Sequence, residues 1–449
     1  MKHITIVGGG LVGSLLAVLL AKRGHTINVY ERRADPRKAN AYAGRSINLV
    51  VSHRGWTALK AAGVHQAVER IVVPVYARMT HDRDGKLTRL PYSIDERPIH
   101  SVSRGELNKV TLSEAEKLPN VTLHFGQRCA EVDLDNATCV FETDGGERTE
   151  VKADLVFGSD GAPSAVRQAM MKGRFNFSQS FIEHDYKEIA FPSNADGSPQ
   201  MDPHCLHIWA RRYFMMMGLA NQDGGFTGTL FMPHSGEFSF DTIKDEQDLM
   251  RFFEAHFKDA IPMLPDLAEQ YFRNPQSNLA IIRCGPWTHR DKVALIGDAA
   301  HAIVPFYGEG MNAGYEDCKV LNDLLNTHGD DNWATVLDAY NAARKPNGDA
   351  IADLSLRNFV EMRDLVADPR FILRKKIEGR LQQRHPDKWL PLYSQVKFSD
   401  IPYKTAWDEG LRHDRIMEEV LAMPGVEEKW DSEEVERKAL GLLESRFDK

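Results

Sequence analysis

Ile4-Thr5-Ile6-Val7-Gly8-Gly9-Gly10-Leu11-Val12-Gly13-Ser14-Leu15-Leu16 is the stretch whose reading decides the fold. The β-branched run Ile4 to Val7 predicts a short strand. Gly8, Gly10 and Gly13 fit the G-x-G-x-x-G pattern, and Leu11 to Lys22 is apolar enough for a buried helix. A second apolar run, Ile27 to Tyr30, ends at Glu31. Strands apolar on both faces suit a parallel sheet covered by helices. Glycines in such a turn let the backbone close tightly and approach a pyrophosphate, while the helix N-terminus supplies unpaired N–H groups and partial positive charge. Val12 lies in that first turn, and an acid such as Glu31 can take ribose hydroxyls. A purely structural glycine turn is the alternative; the flanking strands and Glu31 favour dinucleotide binding.

Composition narrows the remaining choices. A net charge of -8, with no block of Lys and Arg, argues against a nucleic-acid partner. Cys129, Cys139, Cys205, Cys284 and Cys318 form no C-x-x-C pair and are odd in number. That speaks against zinc ribbons and disulfide frameworks, and fits a reducing cytoplasm. No bound metal is expected. The N-terminus lacks a secretory pattern. The longest apolar run, Leu11 to Ala21, falls short of the roughly 18 residues that a membrane span requires. A soluble chain without a membrane anchor is expected; its oligomeric state is not readable.

Outward from the opening unit, His53 to Glu69 reads as a helix. Ser103 to Leu118 reads as another, with Ser103 and Glu106 in capping-box spacing. Val140 to Glu142 and Glu150 to Lys152 flank Asp144-Gly145-Gly146 as a hairpin. Between about 175 and 280, His204 to Trp209, Tyr213 to Leu219 and Phe226 to Met232 read as antiparallel strands, with one helix at Asp245 to Phe257. Lys292 to Ile296 returns as a strand ending in Gly297-Asp298. A helix follows from Gly310 to Asn326, and nearly everything after Asn332 reads as helical. The expected fold class is α/β: a Rossmann-type dinucleotide domain of the glutathione-reductase kind, with an inserted antiparallel-sheet substrate domain and a C-terminal helical region. The expected limits are 1–70, 101–175 and 280–345 for the first, 71–100 and 176–279 for the second, and 346–449 for the third.

Two later motifs specify the dinucleotide. Gly158-Ser159-Asp160-Gly161, followed by Arg167, resembles the DG motif of group A FAD-dependent aromatic hydroxylases. Gly297-Asp298-Ala299-Ala300-His301 resembles their GD motif, whose Asp contacts the flavin-side ribose. Pro305-Phe306-Tyr307-Gly308-Glu309-Gly310-Met311-Asn312 then places glycines and an amide before a helix. That helix end suits the electron-rich edge of a flavin ring, with Gly310, Met311 and Asn312 meeting it through backbone groups.

Other segments are similar to the kynurenine 3-monooxygenase family within that group. They include Gly44-Arg45-Ser46-Ile47-Asn48-Leu49, Ser52-His53-Arg54-Gly55, Ser101-Val102-Ser103-Arg104, His207-Ile208-Trp209, Phe231-Met232-Pro233 and Gly314-Tyr315-Glu316-Asp317-Cys318. The likeness runs from residue 4 to about 400. It implies non-covalent FAD, with Arg33 and Arg104 as further cofactor-side residues, and NADPH as a transient co-substrate. It implies hydroxylation of L-kynurenine by O2 through a flavin C4a-hydroperoxide, in tryptophan degradation. Flavin carries the chemistry, so no side chain is expected to act as nucleophile or base. It also implies that Arg78, Tyr92 and Tyr393 bind the substrate carboxylate and that Asn358 lies in the pocket. Carboxylate recognition suits the planar fork of an arginine.

The family usually has Gln where this chain has Glu309. That carboxylate could act on the flavin, be protonated, or point away. Three other functions stay open at this point: a related hydroxylase of another aromatic acid, an NAD-dependent dehydrogenase, and a non-catalytic flavin-binding redox protein.

Overall fold

The computed structural model describes residues 1–38, 48–93, 95–365 and 368–445. Residues 44–47 of the family-like segment, and 446–449, lie outside them. The strand His3–Val7 is buried from Ile4 onward and sits inside a six-stranded sheet. It pairs in parallel with Thr26–Glu31 on one side and Leu155–Gly158 on the other. Val121–Phe125 and Val293–Leu295 extend the sheet in parallel, and Thr288–His289 closes one edge antiparallel. These strands come from three separate parts of the chain, so the sheet is discontinuous in sequence. Leu11–Lys22 is buried from Gly13 to Ala21 and packs between the helices Arg104–Glu116 and Gly310–His328. Near-complete burial explains why this helix is apolar all round rather than striped.

A seven-stranded sheet forms the second layer, in the order Ser277–Gly285, Asn176–Phe191, Phe226–Pro233, Met215–Ala220, Cys205–Ala210, Ala77–His81, Leu87–Pro91. One face buries Trp209, Phe226 and Leu230 against helices Glu246–His256 and Leu267–Arg273. The other face carries Ile208, Met215 and Phe231 toward Phe306, Phe359 and Met362. This alternation is the period-two signature of strands with different environments on their two faces.

Several expectations need correction. The sheet is mixed, because Cys205–Ala210 runs parallel to Ala77–His81. Those strands lie far apart in sequence, so local patterning carries no sign of their direction. Asn176–Phe191 is a 16-residue strand whose first half is exposed and mixes polar residues with Phe177, Phe181 and Ile182, which hid it from a search for apolar runs. The expected helix His53 to Glu69 is two helices, His53–Ala62 and His65–Glu69. Gly63 breaks them in the left-handed conformation, with φ 69°. Segment 71–100 is shared: Ala77–His81 and Leu87–Pro91 join the large sheet, while Val73–Val75 and Ile99–Ser103 pair in a small sheet with Asn48–Val51.

The predicted hairpin forms: Thr138–Glu142 pairs antiparallel with Arg148–Lys152. The Ser103 hydroxyl accepts the Glu106 N–H, as a helix cap should. The last region is helical. Trp333–Val360 leads into a π-turn over Glu361–Leu365, then Pro369–Arg384, Leu392–Lys397, Tyr403–Leu421 and Glu433–Ser445. Among the described residues, no helix is long and apolar enough to cross a membrane.

Candidate active site

A cleft of about 480 Å³ runs between the two sheets. Its first end is built by the opening glycine turn. Gly8 has φ 105°, and a Cβ there would lie 2.6 Å from the Ser159 carbonyl oxygen. A Cβ on Gly13 would lie 2.0 Å from the Gly8 oxygen. Gly10, by contrast, would meet nothing within 4 Å, so the backbone there faces open space at the helix N-terminus. A helix N-terminus open on this side offers unpaired N–H groups of the kind that bind anions.

Glu31 closes the turn from beside it: Oε2 accepts the Gly9 N–H at 2.9 Å and Oε1 accepts the Arg33 N–H at 3.0 Å. The side chain therefore shapes the loop. Arg33 and Arg104 are exposed, and Arg104 borders the cleft.

Asp160 does not reach into the cleft. Its Oδ2 accepts the Ala165 N–H at 2.6 Å, and its Oδ1 is buried without a hydrogen-bond partner among the described residues. Burial pushes its carboxyl above the usual range. The backbone of Gly161 and Ala162 borders the cleft instead. Arg167 fastens this loop to the GD loop, donating to the Ala299 carbonyl at 2.8 Å and to the Ala162 carbonyl. Asp298 is exposed and borders the cleft. Gly310 and Met311, in the first turn of the helix, also border it.

Asn312 is fully buried. Its Nδ2 donates to the Val50 carbonyl at 2.7 Å and the Gly308 carbonyl at 2.9 Å, and its Oδ1 accepts the Ser52 N–H at 3.0 Å. The side chain pins the loop to the small sheet, while the residue's place in the first turn leaves a backbone role open.

At the other end of the cleft stand Arg78, Tyr92 and Tyr393. Arg78 sits opposite Leu206 in the parallel register, and both border the cleft. Tyr92 directly follows the strand antiparallel to Ala77–His81, and Tyr393 comes from the short helix Leu392–Lys397. The two tyrosine rings stack at 5.4 Å, and the guanidinium lies 5.4 Å from the Tyr92 ring centre and 4.9 Å from that of Tyr393. Arg78 Nε and the Tyr92 hydroxyl are buried without a partner at hydrogen-bond geometry among the described residues. Burial opposes the Arg78 charge, but Tyr393 and Tyr92 outweigh it and raise its pKa. Burial pushes the Tyr92 phenol up to about 12, so it remains a donor at neutral pH. Buried, unsatisfied donors around a cation call for an anionic ligand.

Asn358 is not part of this cluster. Its Nδ2 donates to the Phe306 carbonyl at 2.6 Å and lies 3.2 Å from Met362 Sδ. It ties down the backbone at Phe306, whose ring stacks on Phe359 at 4.2 Å.

Sequence reasoning missed the charge network beneath the cleft. Glu309 turns away from the cleft and is fully buried. Its Oε1 meets Lys397 Nζ at 2.6 Å, and its Oε2 accepts from the Tyr403 hydroxyl at 2.6 Å and the Ser52 hydroxyl at 3.2 Å. Asp317, also buried, accepts the Gly297 N–H at 3.1 Å, pairs with His301 at 2.6 Å and accepts from Arg344 Nε at 2.6 Å. Burial works to raise the Asp317 carboxyl, yet His301 and Arg344 prevail and hold it below the usual range. Arg344 and Arg54 both reach Glu316. Arg54, Arg344 and Lys397 thus balance Glu309, Glu316 and Asp317, as buried charges require. The sequence signal was the adjacent acids Glu316-Asp317 set among the small and apolar residues Ala313, Gly314, Tyr315 and Cys318.

A family profile described as FAD binding domain matches residues 1–355. Kynurenine 3-monooxygenase of Flavobacterium johnsoniae is 48% identical over 443 residues, covering 98% of each chain. The same-named protein of Christiangramia forsetii is 47% identical over 444 residues, covering 98% of this chain and 99% of its own. Among solved structures, 2-methyl-3-hydroxypyridine-5-carboxylic acid oxygenase superposes with a TM-score of 0.68 at 18% identity, covering 85% of this chain and 98% of that one. That last likeness shows the shared fold.

Proposed function

The chain belongs to the kynurenine 3-monooxygenase family of FAD-binding proteins, and on that premise we propose that it converts L-kynurenine to 3-hydroxy-L-kynurenine. It is a flavoprotein monooxygenase. Substrate, NADPH, a proton and O2 give the hydroxylated product, NADP+ and water; one oxygen atom enters the ring and the other leaves as water. Bound FAD supplies the redox and oxygen-transfer chemistry. The observation that carries the substrate reading is the buried end of the cleft, where the unsatisfied Arg78 Nε meets Tyr92 and Tyr393.

The residues divide the work along the cleft. Gly8, Gly10, Val12 and Gly13 shape the pyrophosphate cradle, with Glu31 beside it at the ribose and Arg33 and Arg104 on the exposed side. Asp160 holds the Gly161–Ala162 backbone in place, and Asp298 stands at the flavin-side ribose. The first-turn N–H groups at Gly310, Met311 and Asn312 face the electron-rich edge of the ring. Arg78 pairs with the substrate carboxylate, and the two tyrosines donate to the same group. The sheet wall, with Leu206, Met217 and Phe231, holds the aromatic ring and excludes water. Asn358 acts by fixing Phe306. A cytoplasmic setting fits five free, buried cysteines.

The test is NADPH oxidation by the yellow protein with and without L-kynurenine, with the product identified chromatographically. Strong stimulation and formation of 3-hydroxykynurenine are expected. Stimulation by another aromatic acid and not by kynurenine would move the related-hydroxylase reading ahead.

A further inference from the structure

The function proposed above gives Lys397 no part, yet its side chain borders the cleft while almost fully buried. Its ammonium is 2.6 Å from Glu309 Oε1 and 3.3 Å from the Gly308 carbonyl oxygen. Glu309 immediately precedes the helix Gly310–His328, whose first turn borders the cleft. A helix N-terminus carries partial positive charge and disfavours a cation. Burial disfavours the ammonium further. Glu309 answers both costs, and Tyr403 and Ser52 satisfy its other oxygen. The pair joins two elements 88 residues apart in sequence. Where the family usually has Gln, this chain has a carboxylate, and it stands paired with a buried ammonium that lies nearer the cleft.

We propose that Lys397 is a positioning residue for the redox state of the cofactor, and that Glu309 sets how much of its charge the cleft experiences. The proposal rests on the reading that the flavin ring lies at Gly310 and Met311. A cation near that ring favours electron uptake, and a paired carboxylate attenuates the effect. Glu309 is thus neither an independent anion beside the flavin nor an idle one. It is half of a dipole whose positive end faces the cofactor.

The test is a dye-equilibrated reductive titration of the FAD-loaded protein, without kynurenine or NADPH, beside measurements of FAD content and thermal midpoint. Glu309→Gln leaves Lys397 unpaired and should shift the midpoint potential to more positive values. Lys397→Met leaves the carboxylate and should shift it to more negative values. The double variant should fall between the two, and Lys397→Arg, which keeps the charge, should stay close to the parent. The exchange variant, Glu309→Lys with Lys397→Glu, keeps a buried pair but reverses its direction. It covers the case in which a single variant fails to fold, and its potential should lie below the parent's. Equal potentials in the folded, FAD-loaded variants would overturn the proposal and leave the pair as a structural tie. That outcome leaves the substrate reading intact, whereas a chain that never retains FAD defeats the functional reading itself.

Discussion

At the buried end of the cleft, Arg78 presents an Nε without a partner among the described residues, flanked by two stacked tyrosines. Truncating one member of a desolvated charge pair typically costs about 2–5 kcal/mol. Arg78→Ala should therefore weaken kynurenine binding by tens to thousands of fold, read as a flavin absorbance titration, with FAD retained. Arg78→Lys should restore part of the loss, because an ammonium lacks the planar fork. Tyr92→Phe and Tyr393→Phe should each cost about 0.5–3 kcal/mol, the range for hydrogen bonds with charged groups. Wild-type affinity in Arg78→Ala would place the carboxylate elsewhere. None of these residues announces itself in sequence; each is one polar side chain near an apolar segment, and family resemblance alone singled them out. Lys397 escaped even that, because its meaning depends on a partner far away in the chain.

Among the elements, those that local physics dictates were legible. The helix Leu11–Lys22 has the limits read from its apolar run, and the hairpin around Gly145 forms where its turn residues placed it. Nonlocal features were not legible. The direction of Cys205–Ala210 beside Ala77–His81 depends on a crossover, and the exposed half of Asn176–Phe191 has no buried face to advertise it. The tight glycine turn gives a prediction at this scale. Gly13→Ala would push a Cβ against the Gly8 carbonyl, which is backbone and cannot swing aside. The loop must open, so the variant should purify with little or no flavin. A yellow Gly13→Ala protein with full FAD content would show that the turn tolerates the added carbon.

Across the whole molecule, stability should respond to acid through buried histidines in two separate cores. Burial lowers the pKa of His207, on the large sheet, and of His413, against Trp389 in the C-terminal helices, to about 4 in each case. Their unfolded value lies near 6.5. A depressed folded pKa means that the neutral form is the one the fold holds. The associated stability is complete above about pH 6.5 and is lost as pH falls toward 4. At ~1.4 kcal/mol per pH unit, each histidine can withdraw about 3 kcal/mol. The thermal midpoint should fall steeply over that window, and His413→Gln should flatten the decline. A midpoint unchanged between pH 6.5 and 4 would contradict the burial argument.

The same whole-molecule view joins the glycine turn and the Arg78–tyrosine cluster into one cleft above the buried charge network, and the account has that cleft bring a flavin to an aromatic amino acid. The most direct measurement of that claim is a turnover of the FAD-loaded protein with NADPH and L-kynurenine under isotopically heavy O2, read by mass spectrometry. The account predicts 3-hydroxykynurenine carrying a single heavy oxygen in its new hydroxyl, with NADPH consumed in step. Product with unlabelled oxygen, or NADPH consumption with kynurenine recovered unchanged, would contradict it.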